Sequence, residues 1–192
     1  MFPTWDTDLF KLINTHHSNS LDIVMVMWSN KYIWIPLYLY IIKVLYDRGL
    51  RQGSSKKNST LFFWKTFAYL ILCVALADST TSAIIKPLFE RLRPCHVEAF
   101  QAWIHLPDGC GGMYGFCSSH AANSFALATS VYLISQTKTF SYILFIWAII
   151  VGYSRIYIGA HFPLDVLVGA IIGMAIALLI KKILYDRFFK NA

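Results

Sequence analysis

Residues 61–85 read LFFWKTFAYLILCVALADSTTSAII, an apolar run that contains Lys65 near its start and Asp78 near its end. A helix needs about 20 predominantly apolar residues to cross a hydrocarbon core about 30 Å thick. This run therefore predicts a transmembrane helix. A carboxylate inside a membrane is costly unless it is paired, so we expect Asp78 either to hydrogen-bond a neighbouring helix or to form a salt bridge within the bundle.

Further apolar segments of similar character follow along the chain. We place the predicted spans at residues 32–47, 61–85, 119–136, 140–157 and 163–185. The amphipathic stretch 21–28 is either an interfacial helix or the start of a sixth span. The predicted fold is therefore an all-α, polytopic transmembrane helical bundle. We expect one membrane-embedded domain over residues 1–192, with its motif-bearing core at 61–185 and an outer loop at 86–118.

The composition excludes an ordinary soluble domain. Hydrophobic residues make up 57% of the chain and charged residues 14%, whereas about 25% of the residues in a typical globular protein are charged. The formal net charge is +7. Because the basic residues mainly flank the apolar runs, we interpret this charge as an orientation signal and predict no nucleic-acid partner.

Lysine and arginine are distributed unequally between the two ends of the predicted spans. One side collects Lys43, Arg48, Arg51, Lys56, Lys57, Lys65, Lys138, Lys181, Lys182, Arg187 and Lys190. The other side has Lys11, Lys31, Lys86, Arg91, Arg93 and Arg155. By the positive-inside rule the first side is cytoplasmic. The positive-inside rule does not explain why cations occur in the polar segments of the outer side, so these residues require another explanation.

Three polar segments lie at the outer ends of the predicted spans. They are KPLFERLRP at 86–94, CSSH at 117–120 and SRIYIGAHFPLD at 154–165. Each has a simple structural explanation when taken alone: snorkelling cations, helix N-caps and a local hydrogen bond between side chains four residues apart. Ionisable groups so near the hydrocarbon are expensive, however, and all three segments meet at one membrane face. Together they predict a functional site.

These segments resemble the signature of the type 2 phosphatidic acid phosphatase and haloperoxidase superfamily: Lys-x6-Arg-Pro, Pro-Ser-Gly-His and Ser-Arg-x5-His-x3-Asp. The first and third motifs have complete spacing here. The second is partly kept, because Cys117 replaces Pro and Ser119 replaces Gly while Ser118 and His120 remain. The motifs and their host spans cover about residues 61–185. Their combination is far more specific than any one of them.

The resemblance implies a role for each motif residue. The phosphate-binding residues it implies are Lys86, Arg93, Ser118, Ser119 and Arg155, and the catalytic residues are His161, His120 and Asp165. His161 would attack phosphorus to give a phosphohistidine, and Asp165 would hold its other ring nitrogen. His120 would protonate the leaving oxygen and then activate water. No cofactor or metal is implied, because three fixed cations can neutralise the phosphoryl oxygens.

The function implied is hydrolysis of a phosphomonoester or diphosphate on a lipid headgroup. Undecaprenyl diphosphate, phosphatidylglycerol phosphate, phosphatidate and lipid A phosphate remain open as substrates, with membrane lipids as surroundings. Two alternatives remain: a non-catalytic phospholipid-binding or transport subunit, and a vanadate-dependent haloperoxidase. The short chain resembles bacterial cell-envelope members, which implies an inner (plasma) membrane location with the site on the periplasmic or outer face. In an oxidising compartment Cys95 and Cys110 are able to form a disulfide beside Arg93.

Overall fold

The computed structural model of the chain describes residues 2–52, 56–134 and 138–185. The α-helices are α1 (Thr4–Thr15), α2 (Asn19–Ser29), α3 (Ile35–Gln52), α4 (Lys56–Ser79), α5 (Lys86–Phe89), α6 (Ser119–Ile134), α7 (Lys138–Tyr157) and α8 (Pro163–Ile180). Short 3₁₀-helices lie at Lys31–Trp34, Pro94–His96 and Glu98–Phe100, and π-helical turns at Thr80–Ile85 and Lys181–Tyr185. The prediction of an all-helical chain is confirmed.

Three helical stretches in the described part of the chain are long and apolar enough to cross a membrane. They are Asn58–Phe89, Lys138–Tyr157 and Pro163–Leu184. The first is continuous because the π-helical turn joins α4 to α5. The other two predicted spans, 32–47 and 119–136, correspond to α3 and α6, which form helices but are not in this set. The count of five spans stays a prediction.

Helix α6 is enclosed by other helices, which explains why it is less apolar than its neighbours. It packs against α4, α7 and α8. Its sequence, SHAANSFALATSVYLI, is rich in small and hydroxylated residues, and most of its alanines and serines are buried. A helix that contacts protein on most sides meets little lipid, so small residues that admit close packing serve it better than bulky apolar ones.

The contact between α6 and α8 is a backbone contact. A Cβ atom added at Gly169 would lie 2.4 Å from the carbonyl oxygen of Ser118, and one at Gly173 would lie 2.1 Å from that of Ala122. No larger side chain fits in either place without separating the helices. The glycines therefore fix the spacing of two helices that carry predicted site residues.

The N-terminal segment forms two separate short helices, and the choice between an interfacial helix and a sixth span stays a prediction. Helix α2, which contains the amphipathic stretch 21–28, has 11 residues and is about 16 Å long, against a hydrocarbon core of about 30 Å. It packs against α7. Asp22 of α2 accepts hydrogen bonds from Tyr157 Oη (2.6 Å) and from His105 Nε2 (2.9 Å). These contacts attach the N-terminal segment to α7 and to the outer loop.

The outer loop begins later than predicted, because Lys86 lies in the helical turn α5 and irregular structure starts after Phe89. Within the loop, Leu92 and Tyr114 form an isolated antiparallel β-bridge. Cys95 and Cys110 are joined by a disulfide. The loop is thereby folded back on itself directly beside Arg93.

Replacing Gly173 by alanine tests the close approach of α6 and α8. The added methyl group meets the Ala122 carbonyl, and we expect a loss of about 1–3 kcal/mol of stability, as overpacking typically causes. The measurement is the Tm in detergent. Gly112→Ala is the matched control because a Cβ there meets nothing within 4 Å; equal Tm values for the two variants would contradict the prediction.

Candidate active site

Four of the predicted site residues line a single cavity of about 810 Å³. They are Lys86, Arg93, His120 and His161. They come from α5, the outer loop, the start of α6 and the turn between α7 and α8, so the fold brings together side chains up to 75 residues apart in sequence (86 to 161). A fifth predicted site residue, Ser119, lines the same cavity.

His161 is held in a tight turn between α7 and α8. Gly159 has a φ of +76°, a left-handed conformation that glycine adopts without strain. The reversal lets the backbone N–H groups of Ala160 and His161 both donate to the carbonyl of Arg155, at 3.0 and 3.1 Å. The side chain of His161 is 1% exposed. Burial, together with the charges of nearby arginine and lysine side chains, holds the pKa of His161 well below its usual range. The imidazole is therefore neutral at physiological pH.

Asp165 lies one helical turn beyond His161. Its Oδ2 accepts the backbone N–H of Phe162 at 3.0 Å and lies 3.5 Å from Nδ1 of His161, without a hydrogen bond to that nitrogen. Catalytic hydrogen bonds are often long before substrate binds. The backbone oxygen of Asp165 accepts from the N–H of Ser118 at 2.9 Å. The carboxylate thus faces the predicted nucleophile, and its backbone anchors the start of α6.

Arg91 has a central position that the sequence reasoning missed. Its guanidinium donates to Asp165 Oδ1 and to Asp6 Oδ2, both at 2.6 Å, and all three side chains are nearly inaccessible to solvent. Asp6 also accepts the backbone N–H of Leu164 at 2.7 Å. The available signal was an unassigned arginine between Lys86 and Arg93; its partner Asp6 is 85 residues away, and no local pattern links the two.

Lys86 and Ser119 form the centre of a hydroxyl network. Lys86 Nζ donates to Ser119 Oγ at 2.9 Å, and the same oxygen is 2.8 Å from Thr81 Oγ1 and 3.0 Å from Ser82 Oγ. Ser119 is the first residue of α6, and its φ is not among the positive values of the described residues. A glycine is therefore not required there. The serine instead adds a hydroxyl contact that orients the lysine.

Arg93 is positioned by the folded outer loop. Its backbone N–H donates to the carbonyl of Met113 at 2.9 Å, and its Nη1 is 3.4 Å from the oxygen of Ala160. A Cβ at Gly115 would lie 3.2 Å from Arg93 Cγ, and one at Gly111 would lie 3.2 Å from Arg93 Nη1. The loop closes tightly over the guanidinium, while the buried Nε has no hydrogen-bond partner among the described residues.

Two of the predicted phosphate ligands do not line the cavity. Ser118 is fully buried, and its hydroxyl accepts weakly from the N–H of Ala121 at 3.4 Å, as a helix-capping side chain does. Arg155 donates through Nη1 to the hydroxyl of Ser29 on α2. Ser29 does line the cavity, so Arg155 lies directly behind that wall.

Cys117, which stands where the family motif has proline, is an inert thiol. It is fully buried. Burial raises its pKa to about 11, so the thiolate that would act as a nucleophile or metal ligand is scarce at neutral pH.

One histidine cluster outside the cavity brings metal-binding atoms together. Ligand atoms of His17, Asp22 and His105 lie within 4.8 Å of one another. The two imidazole rings are stacked, however, with planes 4° apart and centroids 3.6 Å apart. Because the nitrogen lone pairs lie in the ring planes, parallel stacked rings do not aim them at one point. The cluster is better described as a polar contact between the N-terminal segment and the outer loop.

Comparison with known proteins agrees with the three motifs. A sequence model of the PAP2 superfamily matches residues 66–189, well over half of the chain. The chain belongs to the PAP2 superfamily. It is therefore a lipid phosphatase and an integral membrane protein, as its motifs and apolar helices predict.

Relatives within the PAP2 superfamily carry different substrate names. The chain is 34% identical to a lipid A 4'-phosphatase of Bacteroides thetaiotaomicron over 88% of its own length and 72% of that protein. It is 27% identical to an undecaprenyl-diphosphatase of Sulfolobus acidocaldarius, over 93% and 78% of the two chains. The crystal structure of Aquifex aeolicus LpxE superposes with a TM-score of 0.68 at 28% identity, covering 92% of this chain and 94% of that one.

Replacing Asp6 by asparagine tests the Arg91 bridge. The variant leaves a buried guanidinium with one carboxylate instead of two, and breaking a buried ion pair costs about 3–5 kcal/mol. We expect a large fall in the Tm in detergent. Asp8→Asn, an exposed carboxylate on the same helix, is the control; a Tm loss no greater than that of this control would show that the bridge contributes nothing.

The depressed pKa of His161 predicts a pH dependence of stability. Below about pH 6.5 the unfolded chain binds a proton at this histidine that the native protein does not bind, so stability is lost as the pH falls. The slope for one such group is up to about 1.4 kcal/mol per pH unit. The Tm of the wild type should fall more steeply between about pH 6.5 and 4.5 than that of His161→Gln. His16→Ala, at an exposed histidine, should keep the wild-type slope.

Proposed function

We propose that this PAP2 lipid phosphatase binds the phosphate of a membrane lipid among Lys86, Arg93, His120 and His161 and hydrolyses it through a phosphohistidine at His161. The single observation that supports this most directly is that these four side chains line one cavity whose remaining wall is mostly apolar. A phosphate and a hydrocarbon tail on one molecule match the two parts of that wall.

The apolar part of the cavity lies between α3, α4, α6 and α7. It is lined by Trp34, Ile35, Tyr38, Ile41, Ile42, Phe67, Leu70, Ile71, Val74, Leu127, Trp147 and Val151. No lysine, arginine, histidine or carboxylate side chain is among these residues, and they extend from the polar end along α3 and α4. An acyl or prenyl chain buried there gains about 0.8 kcal/mol per CH₂ group relative to water, although little relative to the bilayer. The groove therefore serves to align the lipid.

The first chemical step is attack on phosphorus by His161. Because Nδ1 faces Asp165, Nε2 is the nitrogen available for attack, and the neutral imidazole has the required lone pair. The P–O bond to the lipid breaks as the N–P bond forms, and His120 supplies a proton to the leaving oxygen. Lys86 and Arg93, with Arg155 behind the wall, stabilise the charge on the phosphoryl oxygens.

The second step returns the enzyme to its starting state. His120, now without its proton, accepts one from water, and the hydroxide attacks the phosphohistidine. The N–P bond breaks, inorganic phosphate leaves, and His161 is neutral again. Asp165 stabilises the positive charge that His161 carries while it is bonded to phosphorus.

The helix directions support a site on the outer face. Helix α3 carries Arg48 and Arg51 near its end and α4 begins with Lys56 and Lys57, whereas α5, which continues α4, ends at the site. Helix α6 starts at the site, α7 ends there and α8 starts there. The other end of each of these helices therefore lies on the side that the positive-inside rule assigns to the cytoplasm. The proposed location is the bacterial inner membrane, with the site on the periplasmic or outer face. The orientation supports the face, and the resemblance to bacterial cell-envelope members supports the membrane.

Phosphate release from a short-chain lipid phosphate in detergent tests the proposed function. Wild type should release phosphate in the presence of EDTA, because fixed cations supply the charge that a metal would otherwise provide. His161→Ala should lose activity by about 10³-fold or more, and His120→Ala by about 10²–10⁴-fold, the usual contribution of a general acid–base.

The matched control replaces a histidine that lies outside the cavity. His16 is exposed at the end of α1, and His16→Ala should keep wild-type turnover. Phosphate release that persists in His161→Ala would overturn the assignment of His161 as the nucleophile. If the wild type bound lipid phosphate but released no phosphate, the protein would instead be a binding subunit. Halide oxidation by vanadate-soaked protein in place of phosphate release would support a haloperoxidase.

A further inference from the structure

A second polar group lies in the cavity, between the phosphate ligands and the apolar groove. Asp78 of α4 accepts a hydrogen bond from Asn123 Nδ2 of α6 at 2.9 Å, and both residues line the cavity. The expected contact of Asp78 with a neighbouring helix is thus present. The carboxylate is nevertheless exposed on the cavity side, which a purely structural bridge between two helices does not require.

The depth of this pair follows from the two helices that carry it. Asp78 of α4 precedes Ser82 of the following π-helical turn by four residues, and Asn123 follows Ser119 by four residues on α6. Four residues are about 6 Å along a helix. The helices run in opposite directions across the bundle, so both offsets point away from the outer face. The pair therefore lies about 6 Å below the hydroxyls that hold Lys86, on the path from the phosphate site to the groove.

The hydrogen-bonding capacity of the pair is incomplete. Asp78 Oδ1 holds the amide of Asn123, and among the described residues no donor reaches its Oδ2. Asn123 Oδ1 is buried and likewise has no hydrogen-bond partner in the described part of the chain. Unpaired acceptors in an apolar environment are costly. Two spare acceptors at one place suit a ligand that brings a hydrogen-bond donor.

We propose that Asp78 and Asn123 form a selectivity site for the part of the lipid next to the phosphate. The pair binds a hydroxyl or amide N–H group on the tail side of the phosphate, about 6 Å deeper than the hydroxyls that hold Lys86, and the Asp78 carboxylate disfavours a second phosphate at the same place. When the terminal phosphorus of a diphosphate lipid meets His161, its inner phosphate is the next group toward the tail, where Asp78 lies.

This site favours lipid monophosphates with a hydroxylated or amide-bearing backbone over prenyl diphosphates. It rests on the proposed function, because it assigns a substrate class to the same cavity. Like charges a few ångströms apart in a partly desolvated site repel strongly enough to change a rate about 10- to 100-fold. The loss of a donor–acceptor contact changes it by about 10-fold.

The test compares four lipids by kcat/KM: ceramide 1-phosphate, phosphatidate of matched chain length, farnesyl phosphate and farnesyl diphosphate. Ceramide 1-phosphate has hydroxyl and amide donors and phosphatidate has none, while the two farnesyl lipids differ by one phosphate. Asp78→Asn removes the charge but keeps an acceptor. It should raise the ratio of farnesyl diphosphate to farnesyl phosphate about 10- to 100-fold and leave the ceramide preference nearly unchanged.

Asp78→Leu removes both the charge and the Asp78 acceptor and leaves only that of Asn123, so it should raise the diphosphate ratio and also reduce the ceramide preference. Asp78→Glu keeps the charge and should hold the diphosphate ratio near the wild-type value, which keeps the test decisive if a neutral variant does not fold. The matched control is Asp8→Asn, an exposed carboxylate on α1, for which all ratios should be unchanged.

Changes by a common factor for all four lipids would overturn the selectivity site, because they indicate a structural role for Asp78, and would leave the phosphatase function standing. Absence of phosphate release by wild type from every lipid would instead remove the proposed function, and the selectivity site with it. The two failures are therefore distinguishable by wild-type activity.

Discussion

Arg91 holds together the three parts of the chain that meet at the outer end of the bundle. One guanidinium connects the N-terminal helix through Asp6, the start of α8 through Asp165, and the outer loop to which it belongs. It lies between the rings of Phe2 and Phe162, each centroid 3.9 Å away. One cation between two carboxylates leaves the group with excess negative charge, which suits a neighbourhood that also contains Lys86 and Arg93. Without this bridge, only the backbone N–H of Phe162 would hold the Asp165 carboxylate beside His161.

The apolar helices were predictable because lipid imposes a composition on any helix that it surrounds. Runs such as 140–157 and 163–185 show this composition, and the structure has helices at both places with boundaries within a few residues. The prediction was weaker wherever protein replaces lipid. Helix α6 is enclosed by other helices and short α2 contacts α7, so neither is selected for length and apolarity in the same way.

The site was predictable to the extent that its chemistry depends on fixed spacing. His161 and Asp165, or Lys86 and Arg93, are close enough in sequence for local motifs to identify them. Arg91 and Asp6 are not, because their contact depends on the path of the N-terminal segment. The same holds for Ser118, whose hydroxyl caps a helix, and for Asp78, where the sequence indicated a partner helix but not that Asn123 would supply the partner atom.

The backbone contact at Gly169 and Gly173 has a consequence for how lipids of different bulk are accommodated. Helices α6 and α8 carry His120 and Asp165, and α8 follows His161 directly. Because the backbones of these helices touch, rotamer changes cannot widen the gap between the groups that we propose to react. The opposite wall of the cavity is lined by side chains of α3 and α4 such as Tyr38 and Phe67, and in the proposed function their rotamers adjust to a broad or branched tail. The cavity thus has a rigid wall formed by α6 and α8 and an adjustable wall formed by α3 and α4. In the proposed function, the adjustable wall determines which lipid tails are accepted.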